Sequence, residues 1–408
     1  ILAALPISII VGPAVSLVNI LIFDLSFIIF LIYKNNFKWI SNTYVRALLI
    51  LYIYLIFNNL ISLEQNSNFF RNFGFLRLII LFVGLNYFLR FKEFNKIFPT
   101  WSVIILVLVF DIFIEKFTGQ NLLGFGSDNN RVVSFFKDEA IPGSFVHSLA
   151  FMLVGFYLLK YKNYSTSYTF VLLLILIFCM YAVILTGERS NSIKFIIGFI
   201  IFIFLFEKFS YKKKIAICLI SFSLLFILIQ KNEYLKERMF SSINYSIKTF
   251  TYSFKHGKPQ DNPSGNLYAK LYRSGYDVFK KYPYFGVGSK NYRIESCENN
   301  KYQLNIHIMI NDYVCMTHPH QIYFEFLSEH GFLGTILILI IFIFFLFNIF
   351  KDIKFSKNYL ALGSFVYLIT VFTPILPSGA FFSDYNLTLF FLNLSIVFAK
   401  SQNLNIFK

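Results

Sequence analysis

A chain of 408 residues that is 57% hydrophobic and 14% charged, with a mean hydropathy of +0.62, lies outside the range of soluble globular proteins. Apolar stretches of about 16–20 residues recur almost end to end, which reads as an all-α, polytopic membrane protein. The net charge of +16 follows from lysines gathered in particular loops, so it gives no reason to expect nucleic acid as a partner.

The first apolar run, residues 2–33, is about twice the length of one crossing. Gly12-Pro13 and Asn19 interrupt it, which predicts two short spans turning near residue 17. Because the chain begins at Ile1, a few N-terminal residues are expected to be missing, and no cleavable signal is needed when the first spans direct insertion. Later spans are predicted near 44–62, 73–90, 100–117, 143–159, 169–185, 192–207 and 214–229, then 332–350, 359–374 and 382–398. The total is about twelve, an even number, which places both ends on one side. The chain thus divides into an N-terminal bundle of about nine spans (1–229), a large polar loop (230–331) and about three C-terminal spans (332–408).

Lysine and arginine sort the short loops into two sets. One set holds Lys34 and Lys38, then Arg90, Lys92 and Lys96, then Lys160 and Lys162, with Lys208 and Lys212–Lys214 and the later Lys351, Lys354 and Lys357. The tail residues Lys400 and Lys408 belong with them. The opposite set is poorer: Arg71 stands alone, Lys116, Arg131 and Lys137 are offset by Glu115, Asp128, Asp138 and Glu139, and 376–381 has no cation. Basic loops face the cytoplasm, so both termini are expected inside and segment 230–331 outside. That segment is too long for a passive connection. Within it, 243–252 is weakly patterned and 256–265 is loop-like, whereas 267–281 has a helical pattern with Leu271, Tyr272, Tyr276 and Phe279 on one face. The Gly-Val-Gly-Ser-Lys of 286–290 lacks the full spacing and preceding strand of a phosphate loop.

Cys179 and Cys218 fall inside spans and read as buried apolar residues. Cys297 and Cys315 both lie in the outer segment, where an oxidising compartment favours a disulfide that would tether the residues just after it; two free thiols are the alternative.

Ionisable residues in spans are costly and usually face a cavity. Arg77, Asp111, Glu115, His147 and Arg189 all fall in the outward halves of their spans or at their outer ends, with Asp111 and Glu115 one helical turn apart. A polar chamber opening outward accounts for them; snorkelling anchors and inter-helix hydrogen bonds are the alternative. Arg189, in the turn LTGERSNS (185–192), can hold a phosphate through two parallel hydrogen bonds, unless Glu188 pairs with it instead.

The stretch CMTHPHQIYFEFLSEHGFLG (315–334) carries two histidines around a proline, followed by a short helical run expected to stop at Gly331. If Pro319 occupies the first helical position, His318 is the N-cap and His320 lies in the first turn. A helix N-terminus favours anions and neutral imidazole, so a histidine there can act as a general base beside a phosphate. A polar helix start at a membrane surface is the alternative. His307 stands alone, and His330 reads as part of the helix end.

These residues carry a resemblance. THPHQIYFEFLSEHGFLG (317–334) resembles the HxHNxYLExLxExGxxG signature of the O-antigen ligase and polymerase superfamily. KKYPYFGVGSKNY (280–292) is similar to its xxPLFGVGxxNF element and ILTGERSNSI (184–193) to its TxSRxxxx turn, in the family's order. The resemblance implies a metal-independent glycosyltransferase of the helical GT-C-like fold, without a cofactor. Its donor is a glycan on undecaprenyl pyrophosphate, met on the periplasmic face of a bacterial inner membrane. His320 then matches the catalytic histidine and Arg189 the arginine contacting the donor pyrophosphate. The family's other arginine stands about fifteen residues ahead of the proline, where this chain has Tyr268; Lys270 and Arg273 are the nearest substitutes. Gln321 replaces the asparagine after the histidine and keeps its amide. His318, Arg77 and Tyr323 complete the expected substrate contacts. The leading expectation is an O-antigen ligase-like enzyme acting on lipid A–core as acceptor, among membrane lipids. The alternative within the superfamily is a polysaccharide polymerase with a glycan acceptor, and outside it a transporter or lipid flippase, which inverted repeats would favour.

Overall fold

The computed structural model describes residues 1–35, 37–64, 69–126, 131–137, 139–161, 166–241, 248, 267–298, 315–401 and 403–407. All regular structure among them is helical. Eight helices there are long and apolar enough to cross a membrane, and the shorter apolar helices Leu2–Val11 and Tyr359–Val371 pack with them. The protein is therefore an all-α polytopic membrane protein. His307 and the stretches 249–266 and 299–314 lie outside the described residues.

The first helices are α1 (Leu5–Val11) and α2 (Pro13–Lys34), and they correct the expected turn near residue 17. The chain turns at Gly12, whose φ of 143° no other residue type adopts easily, and Pro13 opens α2 with φ already set for a helix. Asn19 does not break α2; its side-chain amide donates to Ser8 Oγ across the hairpin (3.2 Å). At seven residues, α1 rises only about 10 Å and does not cross on its own.

The chain continues through α3 (Thr43–Leu60), α4 (Phe69–Phe73), α5 (Leu76–Leu89), α6 (Ile97–Thr118), α7 (Pro142–Lys160), α8 (Thr166–Leu185), α9 (Arg189–Leu205), α10 (Tyr211–Gln230) and the short α11 (Glu233–Lys236). After the long polar segment come α12 (Leu267–Lys281), α13 (Ile322–Ser356), α14 (Tyr359–Val371) and α15 (Asp384–Lys400). The centre of the bundle is the pair α7–α14. A Cβ on Gly155 would lie 2.1 Å from the Tyr359 carbonyl oxygen, and one on Gly363 would lie 2.1 Å from that of Phe151. Backbones approach this closely only through small residues, which in a lipid solvent is how helices gain dispersion contact. The free cysteines Cys179 and Cys218 are both buried.

Asp111 and Glu115 belong to the alternative reading of anchors. Asp111 accepts from Leu122 N–H (2.8 Å), and Glu115 accepts from Val133 (2.9 Å) and Ser134 (2.5 Å) N–H groups. Neither lines the large cavity described below. They hold the loop after α6 by satisfying backbone donors that no water reaches.

α13 explains the Pro-Tyr-Phe-Gly-Val-Gly element. The helix breaks at Gly331 (φ 63°, ψ −169°), where the expected short run ends. Residues 283–288 lie across the break as a splint. Val287 and Gly288 N–H groups donate to the carbonyls of Ser328 and Glu329 (2.9 Å each). Phe332 and Leu333 N–H groups donate to the carbonyls of Pro283 (2.7 Å) and Tyr284 (3.1 Å). Four backbone polar groups of α13 beside the break thus find partners on the splint. A Cβ on Gly331 would sit 2.4 Å from Tyr284 C, and one on Gly286 would sit 2.4 Å from Glu329 C. Gly331→Ala is accordingly expected to cost about 1–3 kcal/mol from backbone conformation alone, and more from displacing the splint. Reduced recovery of monodisperse protein after detergent extraction would register it; native recovery and melting would show that the contact tolerates a methyl.

α12 is amphipathic, but its buried face is rotated from the expected one. Leu271, Ser274, Gly275 and Val278 are buried and Tyr276 is exposed. The small Gly275 sets the face, since a Cβ there would lie 2.9 Å from Pro319 Cβ and 3.1 Å from Phe324 Cβ. Close packing of α12 on α13 thereby fixes the chain that leads into the histidines.

Candidate active site

A cavity of about 1450 Å³ opens at the end of the bundle that carries the α8–α9 turn, the histidine stretch and the α14–α15 connection. The lysine-rich loops lie at the other end, by the alternation of the helices. His320 and Arg189, 131 positions apart, both line this cavity, as do His318, His147 and Tyr268. The remaining expected contacts sit elsewhere. Arg77 pairs with Asp384, itself on the cavity wall. Tyr323 donates its hydroxyl to the Phe372 carbonyl (2.7 Å). Arg273 pairs with Asp277 on α12 (3.6 Å). Arg273, Lys270, Arg77 and Tyr323 are not among the lining residues.

The histidines are placed differently from the expected helix start. α13 begins at Ile322 with Gln321 as N-cap, its side-chain oxygen accepting from Tyr323 (2.8 Å) and Phe324 (3.0 Å) N–H groups. Gln321 outcompetes His318 for this role because its amide oxygen reaches the free N–H groups of the first turn. Pro319 packs on Gly275, and His320 takes a left-handed conformation (φ 54°) that turns its ring off the helix. Cys297 is disulfide-bonded to Cys315, tying the start of this stretch to the segment after the splint.

The two imidazoles lie 4.0 Å apart between ring centroids, yet their partners differ. His318 Nε2 is 3.3 Å from the Ser378 carbonyl oxygen, which can only accept, so Nε2 carries the proton. Its Nδ1 then accepts from the Thr317 hydroxyl (3.0 Å). Both nitrogens of His318 are thus engaged as a neutral ring. The His320 ring nitrogens have no hydrogen-bond partner among the described residues, and the ring faces the cavity. Burial lowers the pKa of both, that of His318 to about 3 with help from His320 and Lys290. A neutral imidazole with an open nitrogen is a competent proton acceptor.

The segment between α14 and α15 closes the other side. Glu325, fully buried, accepts from the Phe381 (2.8 Å) and Phe382 (3.4 Å) N–H groups, and Tyr272 donates its hydroxyl to Ile375 O (2.9 Å). Ser378 N–H in turn donates to His320 O (2.9 Å). The glutamate of the YFEFL run therefore holds the strip of backbone against which both histidines rest.

On the arginine side, Glu188 does not pair with Arg189. Its carboxylate accepts from Gly143 (2.6 Å) and Ser144 (3.2 Å) N–H groups at the start of α7 and from the Asn191 amide (2.6 Å). Burial pushes its pKa up to about 7 against the pull of these donors and of Arg131. Arg189 has no ion pair or hydrogen bond of its side chain among the described residues and faces the cavity. Four cations on the wall were not singled out from the sequence: Lys194 on α9, Lys290 and Arg293 beyond the splint, and Arg238 after α11. Lys290 follows the Gly-Val-Gly turn and takes a left-handed φ of 63°. Glu139, Glu188 and Asp384 are the acidic residues on the wall, and the last two are engaged elsewhere. The cavity is therefore strongly electropositive and suits a polyanion.

Residues 170–339, from within α8 to the middle of α13, match the family described as O-antigen ligase. The matched region contains the arginine turn, the splint and the histidine stretch. Residues 170–339 thus carry an O-antigen ligase domain, which supports the O-antigen ligase and polymerase superfamily. No curated protein matches this chain. That family implies, in general terms, a glycosyltransferase-like enzyme with lipid-linked glycan and an acceptor as its substrates. The unmatched N-terminal helices contribute Arg71, Arg131 and His147 to the same cavity. His147 was expected at an outward chamber, whereas no motif marks Arg71 and Arg131, whose place on the wall depends on packing.

Proposed function

We propose that this protein is an O-antigen ligase-like glycosyltransferase that moves a glycan from undecaprenyl pyrophosphate to lipid A–core on the periplasmic face of the inner membrane. The observation that carries the reading is the convergence of His320, with an open ring nitrogen, and the unpaired Arg189 on one electropositive cavity. In the reaction, His320 takes the proton of the acceptor hydroxyl as that oxygen bonds to the anomeric carbon of the donor sugar. The bond from that carbon to the phosphate oxygen breaks, and its electron pair leaves with undecaprenyl pyrophosphate. Arg189 neutralises the charge that grows on the departing oxygen. Pyrophosphate is already a good leaving group, so the chain's own residues need only align the reactants, bind the anion and remove one proton. His318, locked between Thr317 and Ser378, orients the stretch rather than exchanging protons.

The GT-C-like fold follows from the family resemblance, and the outward orientation is supported by the loop charges, since the cavity lies at the lysine-poor end of the bundle. A volume of about 1450 Å³ exceeds the ~300–1,000 Å³ usual for small-ligand pockets, as an oligosaccharide and a lipid diphosphate together require. Deleting the gene and resolving lipopolysaccharide on a gel tests the acceptor. Loss of the ladder with accumulation of lipid-linked polymer supports ligation to lipid A–core. A single-repeat band in place of the ladder means polymerisation. An intact ladder sinks both.

A further inference from the structure

Arg131, Arg189 and Arg238 come from three separate elements and are gathered around one turn. Val132 N–H donates to Thr186 O (3.4 Å), which brings Arg131 to the α8–α9 connection. Arg238 Nε–H donates to Gly187 O (2.7 Å). Arg189 is the second residue after that glycine. All three line the cavity, and Arg131, Arg189 and the Tyr268 phenol all lie within electrostatic range of the Arg238 guanidinium. Glu188, next to Arg189 in the chain, is occupied by the start of α7. Arg131 spends one Nη on Ala140 O (3.1 Å). Arg238 spends only Nε on the turn, and its guanidinium lies 5.9 Å from the centre of the Tyr234 ring. Its terminal nitrogens have no hydrogen-bond partner among the described residues.

Gathering three guanidiniums around one peptide turn is unfavourable unless an anion joins them. Arginines whose forks are fixed by a backbone bond and a ring are preorganised to hold phosphate oxygens. The location is also telling. Tyr268 stands where the family pattern carries its second arginine, and the Arg238 guanidinium neighbours that tyrosine in space.

We propose that Arg238, assisted by Arg131, supplies with Arg189 the cationic seat for the donor's diphosphate, replacing from the α11 side the arginine that α12 lacks at Tyr268. This rests on the reading of the protein as a glycosyltransferase with a lipid-diphosphate donor. Arg189 and Arg238 adjoin Gly187 and can each take one phosphate, and Arg131 adds charge from the same cavity wall. Gly187 is needed there, since its φ is 75° and a Cβ would lie 2.9 Å from Tyr234 Oη and 3.0 Å from Arg238 Nε.

The test uses the full-length protein in nanodiscs, with undecaprenyl pyrophosphate as an inhibiting probe and glycan transfer from a lipid-linked donor as the activity. Arg238→Gln is expected to lower kcat/KM by about 100-fold or more and to weaken inhibition by undecaprenyl pyrophosphate at least about tenfold. Adding Tyr268→Arg to that variant should restore a large part of both, because the charge returns to the same neighbourhood from α12. Native-like inhibition in Arg238→Gln overturns the proposal. So does lost activity with unchanged inhibition, which would mean that Arg238 only braces the Gly187 turn. If Arg238→Gln does not accumulate, Arg131→Gln and Arg238→Lys carry the comparison, and unchanged inhibition in both overturns the proposal. A native protein that binds the probe yet forms no glycosidic bond removes the transfer reading while leaving the diphosphate seat standing.

Discussion

His320→Ala is expected to abolish glycan transfer, lowering kcat by about 10²–10⁴-fold, while the protein inserts and accumulates as the native one does. The side chain has no hydrogen-bond partner among the described residues whose loss would unfold the site, and His320 holds the adjoining loop through its carbonyl, which donor Ser378 N–H keeps in any variant. The loss should fall on kcat more than on KM, since a base acts in the transition state. The pH profile gives an independent check. Burial lowers the His320 pKa below its ordinary 6.5, so the catalytically useful neutral form persists down to that pH and below. The rate should therefore be flat through neutrality and fall only on the acid side of 6.5, and His320→Ala should lose that acid limb. Near-native turnover in His320→Ala would return the role of base to another group. His318 is poorly suited to take it with both nitrogens committed to Thr317 and Ser378.

Arg189→Ala is expected to have an effect of similar size through a different step. Removing one preorganised donor from a developing anion typically costs about 10²–10³-fold in rate. Here the guanidinium also contributes to binding, so KM for the lipid-linked donor should rise together with the fall in kcat. KM for the acceptor should hardly move, because the acceptor approaches from the histidine side. Arg189→Lys should recover only part of the loss, since an ammonium matches the charge but not the two parallel hydrogen bonds. Transfer assays on reconstituted protein with donor and acceptor varied separately decide this. Equal effects on both KM values would mean that the turn itself had collapsed, and circular dichroism with thermal melting would reveal that independently. The turn does not hang on Arg189: Glu188 fastens it to α7 and Arg238 to Gly187.

The membrane class, the histidine stretch and the arginine turn were legible in the sequence, whereas the wall of the cavity was not. Long apolar runs are unambiguous because a backbone in lipid must satisfy itself within each helix, so span-forming stretches are local properties. The Gly-Val-Gly element and Gly331 are far apart in sequence, but the residue type of each reflects a backbone approach that only glycine allows. By contrast, Gln321 displaced His318 as N-cap because its amide oxygen reached the free N–H groups of the first turn, and Gly12 rather than Asn19 turned the first hairpin because only glycine adopts the φ needed there. Asp111 and Glu115 had the spacing of chamber residues and became loop anchors once the chain after α6 folded back on them.

Composition and span pattern were enough by themselves to determine a polytopic helical membrane protein, and motif order carried its resemblance to the O-antigen ligase and polymerase superfamily, with His320 and Arg189 as conspicuous polar residues. Only the tertiary structure decided that these two face one cavity, that His320 rather than His318 keeps an open nitrogen, and that Arg131 and Arg238 join Arg189 around Gly187. The division has a physical cause. Desolvation in a bilayer acts on each segment separately and leaves its mark on local sequence, but electrostatic neighbourhood depends on distances between segments that packing alone sets.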